Sequence, residues 1–344
     1  MSFGASVEQK VARISSQGIF SPLEAKSPLD EDRKRRKILF LSGPTGCGKT
    51  ELSLLLAAAL DAEIISADAM QVYRGMDIGT AKATYEQRNS VPHHLIDIRN
   101  VDEPFNVVDF YYEAQNAIER IIARGKIPLI VGGAGFYLHT LIYGPPGGPP
   151  SVTELRARLE SELEEQGAHV LYERLSSMDP DYAATITPSD RHKIVRALEI
   201  LVLTGFPVSS LSWRSRTPSI QGAFRCWFLF RPRPSLYCRV EKRCEEMIEA
   251  GFIEEVIELE RQGLRKNPTA SHAIGYRQCL EYLSSPRTEG DLRHFIEAFK
   301  QASRHYIKRQ FTWFRREPLF QWLDAETHDT ELLVDLLTQD IRGC

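Results

Sequence analysis

Long apolar runs are absent from the 344-residue sequence. None approaches the roughly 18 residues that span a bilayer, so a membrane-spanning helix is not expected. The N-terminus likewise carries no uninterrupted apolar segment of the secretory kind. Cysteine is sparse and unpaired in pattern: Cys47, Cys226, Cys238, Cys244, Cys279 and Cys344 form no C-x-x-C pair and no spaced framework. That excludes a disulfide scaffold or a sequence-evident zinc site and points to the cytoplasm. Charge of one sign is not in excess, with 43 basic and 46 acidic residues and a net charge of −3. A polyanionic partner is therefore neither required nor excluded, and a local basic face decides the matter. Internal repeats are also missing.

What is present is the composition of an ordinary globular protein, 42% hydrophobic and 26% charged, and one dense motif. The apolar run Ile38–Leu41 leads into Gly43-Pro-Thr-Gly-Cys-Gly-Lys-Thr50, the pattern G-x-x-x-x-G-K-T, and a helix-forming run rich in Leu and Ala follows. Strand, glycine loop and helix are the context in which backbone N–H groups turn inward around a phosphate chain. Gly43, Pro44, Thr45, Gly46, Cys47, Gly48, Lys49 and Thr50 are thus the diphosphate-binding candidates. Lys49 reaches the terminal phosphates, and the Thr50 hydroxyl is the candidate Mg²⁺ ligand.

The remaining chain alternates strands and helices, which predicts a parallel α/β sheet. Residues 1–34 read as a peripheral extension ending in the charged run Asp30–Lys37. Ala62–Ala67 reads as a strand that delivers Asp68 to the rim where ligands of open parallel sheets sit. Pro92–Ile98 and Ile127–Val131 are further strands, and Asn106–Arg124 is a helix. The Gly144–Pro150 punctuation divides a first core segment (35–149) from a helical insertion (150–215), in which Leu155, Leu159 and Leu163 form a narrow apolar stripe. Phe224–Phe230 returns to the sheet and opens a second core segment (216–344). Ser235–Gln262 reads as one long amphipathic helix. The stretch Phe299–Arg316 has no acidic residue, sets Lys300, Arg304 and Lys308 four apart, and interleaves Tyr306, Phe311, Trp313 and Phe314. Cations with aromatics between them suit a nucleic-acid strand with unpaired bases. The expected fold is α/β: a P-loop NTPase-like parallel sheet flanked by helices, with a helical insertion domain.

A hydrolysing P-loop NTPase carries a second apolar strand ending in Asp. Here Ile127–Val131 runs into glycines, and Leu95-Ile-Asp97 is a short partial substitute, which argues against an ATP-driven motor. Group transfer is left, with Asp68 as the general base. A kinase and a transferase that expels pyrophosphate both fit these residues.

Seven motifs in order add a resemblance: the phosphate loop, Asp68–Lys82, Pro92–Asp97, Gly132-Gly-Ala-Gly-Phe-Tyr137, Arg196-Ala-Leu-Glu199, Gly275-Tyr-Arg-Gln278 and Lys308-Arg-Gln-Phe-Thr-Trp-Phe-Arg315. From about Lys37 to Trp322 the chain resembles the tRNA dimethylallyltransferase family. The resemblance implies transfer of a dimethylallyl group from its diphosphate to the exocyclic amine of the adenosine 3′ of the anticodon, with Mg²⁺, by a cytoplasmic monomer without membrane contact. It implies a tRNA anticodon stem-loop as partner. The implied tRNA contacts are Asp68, Ala69, Met70 and Gln71, with Ala134 and Arg156. They continue through His192, Lys193, Ile194, Val195 and Arg196, then His272, Ala273, Ile274, Gly275, Tyr276 and Arg277. Asp68, Lys49 and Thr50 would be the catalytic set. The chain departs from the family at Ala69, where Ser is usual, at Ala134, where Thr is usual, and at Gly46-Cys47, where Ala-Ser is usual. The rivals are an adenine-nucleotide prenyltransferase, a small-metabolite kinase and a non-catalytic RNA-binding protein with a relict phosphate loop.

Overall fold

The computed structural model describes residues 37–145, 147–211 and 223–342, so the extension read at 1–34 lies outside the described residues. The chain divides into two compact units. One spans Tyr143–Ser219, and the rest of the described chain forms the other.

The larger unit is built on a six-stranded sheet. Its strands are β1 (Lys37–Ser42), β2 (Ala62–Ser66), β3 (His93–His94), β4 (Ile127–Gly132), β5 (Ala223–Phe230) and β6 (Phe320–Asp324). They lie in the order β3-β2-β4-β1-β5-β6, and every pairing is parallel. Residues Ile38–Leu41 are each at most 1% exposed, as expected of strands covered on both faces. The helices of this unit are α1 (Lys49–Leu60), α2 (Tyr85–Ser90), α3 (Val107–Ala123), α4 (Gly135–Tyr143), α5 (Arg233–Glu249), α6 (Phe252–Arg261), α7 (Tyr276–Leu283), α8 (Glu289–Phe314) and α9 (Thr330–Arg342), with a short turn at Pro268–Ser271. Capping boxes start α3, at Asn106 and Asp109, and α8, at Thr288 and Asp291. Each places an acceptor on otherwise orphaned N–H groups.

Two sequence expectations change, and one strand is added. The single helix read over Ser235–Gln262 is two, α5 and α6, because Gly251 adopts φ 96° and turns the chain between them. The strand read over Pro92–Ile98 shrinks to His93–His94, because Leu95 and Asp97 take φ 63° and 57°. That turn carries the Asp97 carboxylate to Lys82 and Arg88. The edge strand β6 went unread: it is five residues long and half-exposed, and it lacks a clean alternation.

The smaller unit packs α10 (Thr153–Gln166), α11 (Ala168–Met178) and α12 (Arg191–Thr204) around Leu159, Leu163, Leu171, Leu175, Ile194 and Leu198, with a short turn at Pro180–Ala183. Its entry strap is held by Glu199, which is fully buried. The Glu199 carboxylate accepts from Ser151 Oγ, from Val152 N at 2.9 Å and from Arg196 Nη1 at 2.6 Å, while Arg196 Nη2 donates to Pro149 O.

Candidate active site

The strand order dictates the rim. In-register pairs Ser42–Gly132 and Ser66–Val131 bring the ends of β1, β4 and β2 side by side. Three loops therefore leave neighbouring strands: Gly43–Gly48 after β1, the Gly132–Gly135 turn after β4, and Asp68 after β2.

In the phosphate loop, Lys49 opens α1, and its ammonium donates to Gly43 O and Pro44 O, both at 2.8 Å. Thr50 follows it, exposed in the first helical turn. Three arginines grip the loop from outside it in sequence. Arg231 Nε donates to Cys47 O at 3.3 Å, Arg239 Nε to Gly46 O at 2.9 Å, and Arg243 Nη1 to Thr45 Oγ1 at 3.4 Å. Burial pulls the pKa of Lys49 down, Arg243 adds to the pull, and the charge of Asp68 opposes it. Burial lowers Arg243 as well, again against the charge of Asp68. Desolvated cations converging on a ring of backbone dipoles make an anion site. The arginines were missed from sequence. Arg239 and Arg243 stand four apart on α5, a spacing whose apolar neighbours Val240 and Cys244 drew the reading instead.

Asp68 sits half-buried, its Oδ1 accepting from Met70 N at 2.8 Å and Gln71 N at 3.4 Å. The phenol of Tyr306, on α8, is pushed up by burial and then by the charge of Asp68. Ala69 and Met70 are half-exposed. The Gln71 amide is spent internally, accepting from Ser66 Oγ at 2.8 Å and donating to Thr80 O at 3.3 Å. Beyond it, the irregular segment to Lys82 is latched by Glu255. That carboxylate accepts from Asp77 N at 2.9 Å, Ile78 N at 2.6 Å, Gly79 N at 3.2 Å and Tyr276 Oη at 2.6 Å. Asp97 is committed to Lys82 and Arg88. Burial alone would raise its carboxyl, but hydrogen bonds from those two cations outweigh it and hold the pKa low. It ties loops together and is no counterpart of the strand-end aspartate of a hydrolase.

Between Asp68 and the phosphate loop lies the Gly132–Gly135 turn. Ala134 O accepts from Tyr137 N and Leu138 N at 2.9 and 3.1 Å, so residue 134 caps α4 with no side-chain oxygen. A Cβ on Gly133 would fall 2.2 Å from Gln310 Nε2, and one on Gly135 would fall 2.2 Å from the Trp313 ring. The glycines admit α8 against the turn.

The other expected tRNA contacts divide. His272 and Arg277 are exposed, with Arg277 within 3.7 Å of Glu281. Ala273 and Ile274 are half-buried. Gly275 and Tyr276 are buried, and the Tyr276 hydroxyl is already held by Glu255. In the smaller unit His192 and Lys193 are exposed, Lys193 pairing with Asp190 at 2.6 Å, and half-buried Arg156 pairs with Glu160 at 2.9 Å. Ile194 and Val195 are core residues, at most 2% exposed, so their side chains hold α12 and cannot face a partner. Arg196 is anchored on Glu199 and Pro149.

The basic face expected on Phe299–Arg316 is half neutralised. Lys300 pairs with Glu245 and Glu297, and Arg304 pairs with Glu241 of α5. Phe311 and Phe314 are core, whereas Trp313 is 38% exposed and meets the Phe136 ring edge-on at 6.1 Å. Lys308, Arg309, Arg315 and Arg316 are exposed and pair with no carboxylate among the described residues; Arg309 lies over the Tyr306 ring.

No group of three or more His, Cys, Asp or Glu side chains that could cage a metal occurs among the described residues. A hard divalent cation that takes phosphate oxygens and water, with a single hydroxyl from the protein, fits this donor set; an all-protein cage does not.

Comparison with known proteins adds four findings. The family model described as IPP transferase matches residues 71–317. A tRNA dimethylallyltransferase of Protochlamydia amoebophila (strain UWE25) is 56% identical over 92% of this chain and 92% of its own length. Among solved structures, the full-length tRNA isopentenylpyrophosphate transferase of Bacillus halodurans aligns with a TM-score of 0.65 at 36% identity, covering 90% of this chain and 96% of that one. A eukaryotic dimethylallyltransferase acting on tRNA aligns at 0.75 with 28% identity, covering 90% and 80%.

Proposed function

Because this chain belongs to the IPP transferase family, we propose that it is a tRNA dimethylallyltransferase. It moves the dimethylallyl group of dimethylallyl diphosphate to the exocyclic N6 amine of the adenosine 3′-adjacent to the anticodon of tRNA, releasing pyrophosphate. The observation that carries the reading is the rim order. Asp68, the Gly132–Gly135 turn and the phosphate loop leave three adjacent strands, and the charge of Asp68 acts on Lys49 and Arg243.

Each residue has a task in this reaction. The bond between the allylic carbon and its diphosphate oxygen breaks as that carbon meets the N6 lone pair. The departing negative charge is received by Lys49, Arg243 and the amides of Gly46–Thr50, where preorganised donors stabilise it best. Asp68 accepts the N6 proton. An aryl amine is a weak nucleophile, so holding it in line supplies much of the rate, and the base must leave the anticodon loop to reach the donor. Mg²⁺, held by the Thr50 hydroxyl and the substrate, would neutralise diphosphate charge. The exposed cations Lys308, Arg309, Arg315 and Arg316, with His192, Lys193, His272 and Arg277, are the proposed RNA contacts. A cytoplasmic monomer completes the reading. The free thiols of Cys47, Cys226, Cys238, Cys244 and Cys279 suit a reducing compartment, and no described helix is long and apolar enough to cross a membrane.

The test is a transfer assay with radiolabelled dimethylallyl diphosphate and Mg²⁺, offering unmodified tRNA and, separately, AMP and ATP. Label in tRNA alone is expected. Label only in free nucleotides replaces the reading with an adenine-nucleotide prenyltransferase, and no label with tRNA still bound leaves an RNA-binding protein.

A further inference from the structure

Gln310 is a polar side chain that the reaction above leaves without a task. It is 4% exposed and lies on α8, yet both ends of its amide are committed to loops from elsewhere in the chain. Gln310 Oε1 accepts from Thr45 N in the phosphate loop at 3.1 Å, and Nε2 donates to Gly133 O in the β4–α4 turn at 3.1 Å. The orientation of the amide is fixed by its partners, since a backbone N–H can only donate and a backbone carbonyl can only accept. The contact on the turn side exists because residue 133 has no side chain: a Cβ there would come within 2.2 Å of Nε2. The turn also lies against the start of the loop, its missing Cβ falling 3.1 Å from Gly43 O.

We infer that Gln310 is a positioning residue for the transfer, setting the separation between the loop that receives the diphosphate and the turn that stands between that loop and Asp68. It touches neither substrate. The inference rests on the transferase reading, in which the allylic carbon is delivered from the loop side and the amine from the Asp68 side. An in-line reaction needs the two atoms about 3–3.5 Å apart, and a misplacement of about 1 Å costs on the order of a hundredfold in rate. The in-register strands β1 and β4 fix where the two loops start, and Gln310 ties Thr45 in one to Gly133 in the other. A tie of this kind acts on kcat and leaves each substrate's own contacts in place.

The experiment uses the full chain with Gln310→Met, which keeps the length and removes both hydrogen bonds, and Gln310→Glu, which keeps an acceptor for Thr45 N and puts a second oxygen against Gly133 O. Steady-state kcat and both KM values are measured with dimethylallyl diphosphate and unmodified tRNA, alongside pyrophosphate affinity and thermal midpoint. Gln310→Met is expected to lower kcat about ten- to hundredfold with tRNA KM and pyrophosphate affinity within about threefold of wild type. Gln310→Glu is expected to lose at least as much kcat. A kcat within about twofold of wild type in either folded variant overturns the inference, as does a loss carried wholly by KM. If Gln310→Met unfolds, the isosteric Gln310→Glu decides alone. Wild type that labels no tRNA sinks the transferase reading and the inference with it. Active wild type with equally active variants sinks the inference only.

Discussion

Asp68→Asn separates chemistry from binding because it keeps the shape of the site and removes one charge. In the wild type, Oδ1 accepts from Met70 N at 2.8 Å and Gln71 N at 3.4 Å. An asparagine carbonyl oxygen accepts from both, so the turn stands and stability stays within about 0.5 kcal/mol. What disappears is the proposed acceptor for the N6 proton. General-base catalysis contributes about 10²- to 10⁴-fold, equivalent to about 2.7–5.4 kcal/mol at about 1.36 kcal/mol per decade. Binding moves the other way. The Asp68 charge acts on Lys49 and Arg243, and the same negative charge opposes an incoming diphosphate. Its removal leaves pyrophosphate affinity unchanged or somewhat tighter. Single-turnover transfer measures the first effect, and calorimetry with pyrophosphate and filter binding of tRNA measure the second. Transfer within about threefold of wild type refutes the assignment of Asp68 as base. A loss of tRNA affinity as large as the loss of rate refutes the separation of roles.

Three further outcomes follow from named contacts. Lys300→Ala is expected to leave tRNA affinity within about twofold, because Glu245 and Glu297 already neutralise that ammonium, whereas Arg315→Ala with Arg316→Ala weakens binding and lowers the salt slope by about one or two; equal effects in a filter-binding titration contradict this. Ala134→Thr supplies the missing oxygen at the start of α4 and raises stability by up to about 1 kcal/mol, read as a shift in the urea midpoint, and turnover is expected to rise with it; a midpoint that does not move refutes the cap. Burial alone would raise the Glu199 carboxyl, but hydrogen bonds from Ser151 and Arg196 hold it below its ordinary value. A carboxyl depressed in the fold contributes stability above the unfolded value of about 4.3 and loses it as pH falls through the folded value. Urea midpoints should therefore be flat from neutral pH to about 5 and fall below about 4.3. Glu199→Gln should flatten that acid limb, and an unchanged limb refutes the linkage.

The loops were legible in the sequence because their chemistry is local. Gly43–Thr50 carries strand, turn and helix within one window, and Asp68 follows an apolar run that can only be a strand. Arg231, Arg239, Arg243 and Gln310 were not legible as parts of that site. Their roles depend on which strand lies beside β1, and no periodicity reports that. Lys300 and Arg304 misled for the opposite reason: their partners Glu245 and Glu241 lie on another helix, about 55 to 63 residues away, so a window free of acids looked like a free basic face. Gly251 is a plain case of one residue's φ overriding an amphipathic pattern that continues on both sides of it.

The placement of β5 has a consequence for synthesis. Strand β1 lies between β4, which ends at Gly132, and β5, which begins at Ala223. The smaller unit is thus translated while one edge of β1 is still bare, and an apolar edge of that kind invites mispairing. The phosphate loop waits as well. Arg231, Arg239 and Arg243 follow β5, and Gln310 comes later still, so a nascent chain that already contains the whole glycine motif has none of the side chains that grip it. Closure across so long a sequence separation is slow. The smaller unit, whose core is local, is free to finish first and shorten the gap that β5 must cross.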